Sequence, residues 1–175
     1  MSTMNYKALL KQINVFCFDV DGVFTDNTVL CMPDGEQIRT ANVRDGYATQ
    51  LAVKRGLHLA IISGGKSEGV RKRFEMLGMK DIFLGSSDKI AVLQHFMDTY
   101  GLQPEQICYM GDDMPDIPVL QKVGLSICPA DACQEVKAIA DYISPFNGGA
   151  GCVRDVLEQA LKLKGLWEGD GAHVW

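Results

Sequence analysis

Phe18-Asp19-Val20-Asp21-Gly22-Val23-Phe24-Thr25-Asp26 follows an apolar run, Ile13 to Phe18. That run predicts a fully buried strand over 13–19. Two carboxylates then stand two residues apart where the strand ends. Residues i and i+2 of a strand share a face, so Asp19 and Asp21 can address one small ligand. In an open α/β sheet, chemistry collects outside the carboxyl ends of the strands. Gly22 lets the backbone turn sharply there. One carboxylate of such a pair can attack while the other moves a proton. The same residues also suit an ordinary acidic, glycine-containing loop.

Three further segments repeat the pattern of an apolar strand ending in polar chemistry. Leu59-Ala60-Ile61-Ile62 runs into Ser63-Gly64-Gly65. A hydroxyl and backbone N–H groups at a loop leading into a helix suit a phosphate oxyanion. Ser63 would equally serve as a helix N-cap, and the two roles are compatible. Lys89 follows Gly85-Ser86-Ser87-Asp88 and begins a helical pattern of Ile90, Leu93, Phe96 and Met97. Ile107-Cys108-Tyr109-Met110 ends in Gly111-Asp112-Asp113, with a third carboxylate at Asp116. A hard divalent cation takes oxygen ligands, and Mg²⁺ typically uses one or two carboxylates, waters and a substrate phosphate.

The periodicity predicts strand 13–19, hairpin 28–40, helix 46–55, strand 58–63, helix 66–77, strand 81–84 and helix 88–99. Strand 106–110, helix 115–121, strand 124–127, helix 132–138, strand 141–143 and helix 151–163 follow. Alternating strands and helices imply an α/β fold, a Rossmann-like doubly wound parallel sheet with helices on both faces. At 175 residues the chain reads as one domain, 1–175, large enough to bury its own core. A composition of 47% hydrophobic and 22% charged residues is that of a globular protein. The net charge of −5, without a basic run, argues against nucleic acid. No segment has the length of a membrane span, and residues 1–12 hold no signal-peptide core. Six cysteines at 17, 31, 108, 128, 133 and 152 include no CxxC pair, which suggests reduced thiols in a cytoplasm.

The segment from Asp19 to Asp26 resembles the first motif of the haloacid dehalogenase superfamily of phosphotransferases, and the three later strand ends resemble its other motifs in order. The resemblance implies a phosphatase working through an aspartyl-phosphate. Asp19 would be the nucleophile, and Asp21 the general acid and then the general base. Ser63, with Gly64, would hold the phosphoryl group, and Lys89 would neutralise phosphate and nucleophile. It implies a Mg²⁺ cofactor held by Asp19, the Asp21 backbone carbonyl and Asp112, with Asp113 acting through water. Asp116 would cap or orient its loop.

The hairpin narrows the resemblance. Residues 28–32 and 36–40 flank Pro33-Asp34-Gly35, a turn with a clear mechanism. They stand in place of a large cap domain, and an isolated pair of strands is marginal in water, so the hairpin is expected to pack between subunits. With Val43-Arg44-Asp45-Gly46, the segment from Gly111 to Asp116 and Gly148 to Asp155, the chain is similar to the 3-deoxy-D-manno-octulosonate 8-phosphate phosphatases over about residues 12–163. Those are Mg²⁺-dependent homotetramers acting on a phosphorylated sugar acid destined for bacterial lipopolysaccharide.

Arg44 offers a planar cation suited to a sugar-acid oxygen, or an exposed ion pair. Gly65, then Lys66, stand where many relatives carry Arg or Glu after the motif glycine, and Lys66 is a candidate replacement cation. Ala150 stands where many carry Arg. These departures bear on the substrate, so a nine-carbon sugar acid 9-phosphate is the alternative. A mutase and a catalytically retired binding module are the alternatives of other classes. The tail, 165–175, carries two tryptophans, and is either loose or docked at a subunit interface.

Overall fold

The computed structural model describes residues 5–174. Six parallel strands form one sheet in the order β5-β4-β1-β6-β7-β8. They are β1 (Val15–Phe18), β4 (His58–Ser63), β5 (Asp81–Leu84), β6 (Ile107–Met110), β7 (Leu125–Cys128) and β8 (Tyr142–Ile143). A separate antiparallel pair, β2 (Leu30–Cys31) and β3 (Gln37–Ile38), forms the expected hairpin. The chain builds outward from β1 to β4 and β5, then returns to β6 on the other side of β1. That reversal makes the carboxyl end of β1 the switch point, where a crevice opens.

All four residues of β1 and of β6 are buried, because helices cover both faces of a parallel sheet. Alternate residues feed two cores. Phe16, Phe18, Leu59, Ile61 and Met110 pack with α1 (Tyr6–Gln12), α2 (Val43–Lys54), α3 (Glu68–Met76) and α7 (Cys152–Leu163). Cys17, Ala60, Ile62 and Tyr109 pack with α4 (Lys89–Tyr100), α5 (Ile117–Leu120) and α6 (Gln134–Lys137). The layered α/β architecture expected from the sequence is therefore present.

The helix ends follow local chemistry. Asn42 accepts bonds from Arg44 and Asp45 N–H, which starts α2 one turn earlier than expected. Ser67, not Ser63, caps α3, and Asp88 caps α4. Gly101, at φ 65°, ends α4. Residues Met114–Asp116 form a 3₁₀ turn, so α5 is shorter than the expected helix 115–121. Helix α1 was not expected. Only Leu10 of it is buried, and its anchor is Tyr6, stacked on Tyr142 at 4.2 Å.

Cap chemistry also joins helices. Gly151, at φ 113°, cannot cap α7 with a side chain, and Asp45 from α2 accepts the Arg154 N–H at 2.7 Å instead. The tail lies on its own chain: Trp167 meets Tyr47 edge to face at 6.1 Å, and the Arg154 guanidinium lies 5.1 Å from the Trp167 ring. The hairpin exposes an apolar face, with Leu30 62% and Ile38 43% accessible. All six cysteines are unpaired.

Candidate active site

The ends of β1, β4 and β6 and the start of α4 surround a cavity of about 540 Å³. Its lining includes Asp19, Asp21, Ser63, Gly64, Gly65, Lys89, Asp112 and Asp113. The four motifs read from the sequence thus meet in one place. Asp19 stands immediately after β1, Ser63 closes β4, and Asp112 lies two residues past β6. Lys89 is the first residue of α4 and is buried.

Lys89 is the electrostatic centre. Its Nζ donates to Asp19 Oδ2 at 2.6 Å and to Asp116 Oδ1 at 2.7 Å. Burial opposes its charge, but Asp19 and Asp116 outweigh that and raise its pKa. Asp19 Oδ1 accepts the Val20 N–H at 2.6 Å. Burial, then the Asp116 carboxylate, push Asp19 up to about 6 despite Lys89. Asp112 is pushed up to about 7, by burial first and then by Asp19, Asp116 and Asp113.

One cation therefore serves more carboxylates than it can neutralise. Oxygen atoms of Asp19, Asp112 and Asp116 lie within 4.8 Å of one another. This donor set fits a hard divalent cation such as Mg²⁺. Asp116 is the poorest candidate ligand of the three. Its Oδ1 takes Lys89 and the Tyr109 hydroxyl, the latter at 2.6 Å, and its Oδ2 takes the N–H groups of Asp112 and Asp113 at 3.0 and 3.4 Å. Asp116 orients its loop, as the sequence suggested.

Gly22 is obligatory for two reasons. Its φ is 80°, and a Cβ there would fall 2.0 Å from Asp112 Oδ2. The carboxylate that follows β6 therefore reaches over the turn of β1 only because no side chain intervenes. Asn27 Nδ2 donates weakly to the same oxygen at 3.4 Å.

Sequence reasoning missed Arg39, Asn27 and Tyr109. Arg39, just past β3, grips Asp21 with two bonds, Nε to Oδ1 at 2.6 Å and Nη2 to Oδ2 at 2.9 Å. The available signals were a lone arginine ending the hairpin and a glycine at 65, where a Cβ would lie 3.2 Å from Arg39 Nη2. Ser86, quoted only as loop, turns a buried hydroxyl with no hydrogen-bond partner among the described residues, and it also lines the cavity.

Two expected substrate contacts lie elsewhere in the described chain. Arg44 lines a separate hollow with Phe146, Arg154 and Lys162, because Asn42 pins the first turn of α2 to Gly149 O at 3.0 Å. Lys66 is exposed, with its stem laid over Gly85, where a Cβ would fall 2.8 Å from Lys66 Cε.

A haloacid dehalogenase-like hydrolase family matches residues 77–157. The 3-deoxy-D-manno-octulosonate 8-phosphate phosphatase KdsC of Escherichia coli K12 is 36% identical over 168 residues, covering 95% of this chain and 89% of the relative. The chain belongs to this phosphatase family. The Yersinia pestis phosphatase of that name superposes with a TM-score of 0.91 at 34% identity, covering 94% of this chain and 89% of the other. The Moraxella catarrhalis phosphatase, solved with a magnesium ion, a phosphate ion and a KDO molecule, gives 0.88 at 32% identity, covering 91% and 92%. Among the described residues, no helix is long and apolar enough to cross a membrane.

Proposed function

We propose that this chain, acting as one hydrolase domain, is a Mg²⁺-dependent phosphatase that converts 3-deoxy-D-manno-octulosonate 8-phosphate to the free sugar acid and phosphate. The observation that carries this reading is the Asp19–Lys89–Asp116 arrangement beside Asp21 and Asp112, in a chain 36% identical to KdsC over nearly its full length.

The chemistry follows from what each group can do. An oxygen of Asp19 attacks phosphorus, and the bond to the sugar oxygen breaks. Asp21 gives its proton to that departing oxygen. The phosphoryl group then sits on Asp19 as an acyl phosphate. Asp21 next takes a proton from water, whose oxygen attacks phosphorus and frees Asp19 and phosphate. Ser63, with the Gly64 and Gly65 backbone, holds phosphate oxygens, and Lys89 offsets their charge. Asp19, the Asp21 carbonyl and Asp112 would hold Mg²⁺, with Asp113 acting through water. The ion supplies counter-charge that lets carboxylates and a phosphate dianion share one cavity.

The exposed apolar face of the hairpin supports packing between chains, and the family resemblance gives that assembly as a homotetramer, with the tail beside α2 also at a subunit contact. In such an assembly Arg44 could serve a neighbour's substrate. Six unpaired cysteines support a cytoplasmic enzyme. Phosphate release from the eight-carbon 8-phosphate that stops with a chelator and returns with Mg²⁺ is the expected result. Release indifferent to the chelator contradicts the reading.

A further inference from the structure

Arg39 has no part in the roles above, yet its guanidinium reaches Asp21 at the rim of the site. It extends from the hairpin, and its side chain is only 5% accessible. Nε and Nη2 take both oxygens of Asp21, while Nη1 donates to Gln37 O at 2.8 Å and Nη2 also approaches Gln37 Oε1 at 3.3 Å. The fork is thus held to the hairpin on one side and offers two parallel donors on the other.

Those two donors lie at the rim of the catalytic cavity. Asp21 and Gly65 both line it, and a Cβ on Gly65 would stand 3.2 Å from Arg39 Nη2 and 3.3 Å from Asp21 Oδ2. The bare glycine is what lets the guanidinium approach. On its other side lies a mostly apolar hollow of about 140 Å³, bounded by Val20, Phe24, Ile38, Val70 and Phe74. That hollow leaves room for the apolar stem of Arg39, while the charged fork stays with its polar partners.

The Asp21 carboxylate cannot stay gripped on both oxygens and also turn toward a departing sugar oxygen. It needs a replacement partner for Arg39. A planar carboxylate is the group whose geometry matches the vacated fork. We propose that Arg39 is the specificity-determining residue that binds the substrate's carboxylate, exchanging Asp21 for it and so releasing Asp21 to face the leaving oxygen. The inference rests on the sugar-acid reading above. It makes the carboxylate of the substrate the trigger for completing the site.

The test compares Arg39→Met, Arg39→Lys and the parent enzyme, all with Mg²⁺, on the eight-carbon 8-phosphate and on glucose 6-phosphate, which has no carboxylate. The quantity read is the ratio of the two kcat/KM values. A charge-assisted bidentate contact predicts a ratio at least tenfold lower in Arg39→Met, with much of the loss in KM, and an intermediate ratio in Arg39→Lys. Gly65→Ala, which retains Arg39 but crowds the pair, should lower the ratio in the same direction. Circular dichroism confirms folding, and the Lys and Ala variants carry the comparison if Arg39→Met does not fold. A parent enzyme preferring the sugar acid, with folded variants that lose both substrates alike or neither, overturns the role of Arg39 alone. A parent enzyme with no preference for the sugar acid overturns the reading beneath it.

Discussion

Lys89 Nζ lies 2.6 Å from Asp19 Oδ2, and both groups are buried. A charge pair in such a place is costly to make and more costly to break from one side. Its use is positional: it fixes one oxygen of the attacking carboxylate and places a cation where phosphate charge develops. Lys89→Met is expected to lower kcat/KM about a hundredfold or more, in the range found when one preorganised donor to developing charge is removed. Steady-state phosphate release checks it, and a loss under about fivefold would remove Lys89 from the chemistry.

Asp19→Asn keeps the size of the side chain and the bond from Val20 N–H, but removes the nucleophile. Turnover should vanish while circular dichroism stays that of the parent. Retained turnover would rule out a covalent intermediate on Asp19.

Gly22 brings β1 and β6 together by having no side chain. Gly22→Ala meets a left-handed backbone, worth about 1 to 2 kcal/mol of strain. It also displaces Asp112, whose Oδ2 would lie 2.0 Å from the added Cβ. Both the melting temperature and Mg²⁺ affinity should fall. Titration calorimetry showing unchanged Mg²⁺ binding would disconnect Asp112 from the ion.

Much of this was readable in the residues. Buried strands of a parallel sheet are continuous apolar runs, so each strand announced its end, and the catalytic groups followed at those ends. What escaped notice depends on distance in sequence. Arg39 meets Asp21 only because a short hairpin folds back onto the β1 turn. Arg44 suited either a sugar-acid oxygen or an exposed ion pair, and the Asn42–Gly149 bond that sets the position of its helix turn has no local signature. Helix α1 carries an apolar stripe, Tyr6, Leu9, Leu10 and the C-cap Ile13, but at seven residues it is too short for that periodicity to stand out. On α3, Phe74 is buried while Met76, two residues on, points outward and is 75% accessible.

Asp45 gives a pH prediction. It is buried, its Oδ2 has no hydrogen-bond partner among the described residues, and burial raises its pKa from 3.8 to about 6 despite bonds from Arg154 and Gly151 N–H. The folded state therefore holds a proton that the unfolded state has released. The stabilising effect is fully present below about pH 4 and is lost as pH rises through about 6, amounting to at most about 3 kcal/mol. Asp45→Asn, which keeps the cap acceptor and cannot ionise, should gain stability relative to the parent between about pH 4 and 7. Urea denaturation at both pH values measures this, and a constant difference between the two proteins contradicts an ionising Asp45.

The most direct test measures phosphate release with Mg²⁺ from a panel: the eight-carbon sugar acid 8-phosphate, nine-carbon sugar acid 9-phosphates and simple hexose phosphates. The expected result is a preference of about a hundredfold or more in kcat/KM for the eight-carbon acid, about 2.7 kcal/mol of differential transition-state binding. Comparable slow rates on every compound would contradict the substrate, and no phosphate from any of them would contradict the phosphatase.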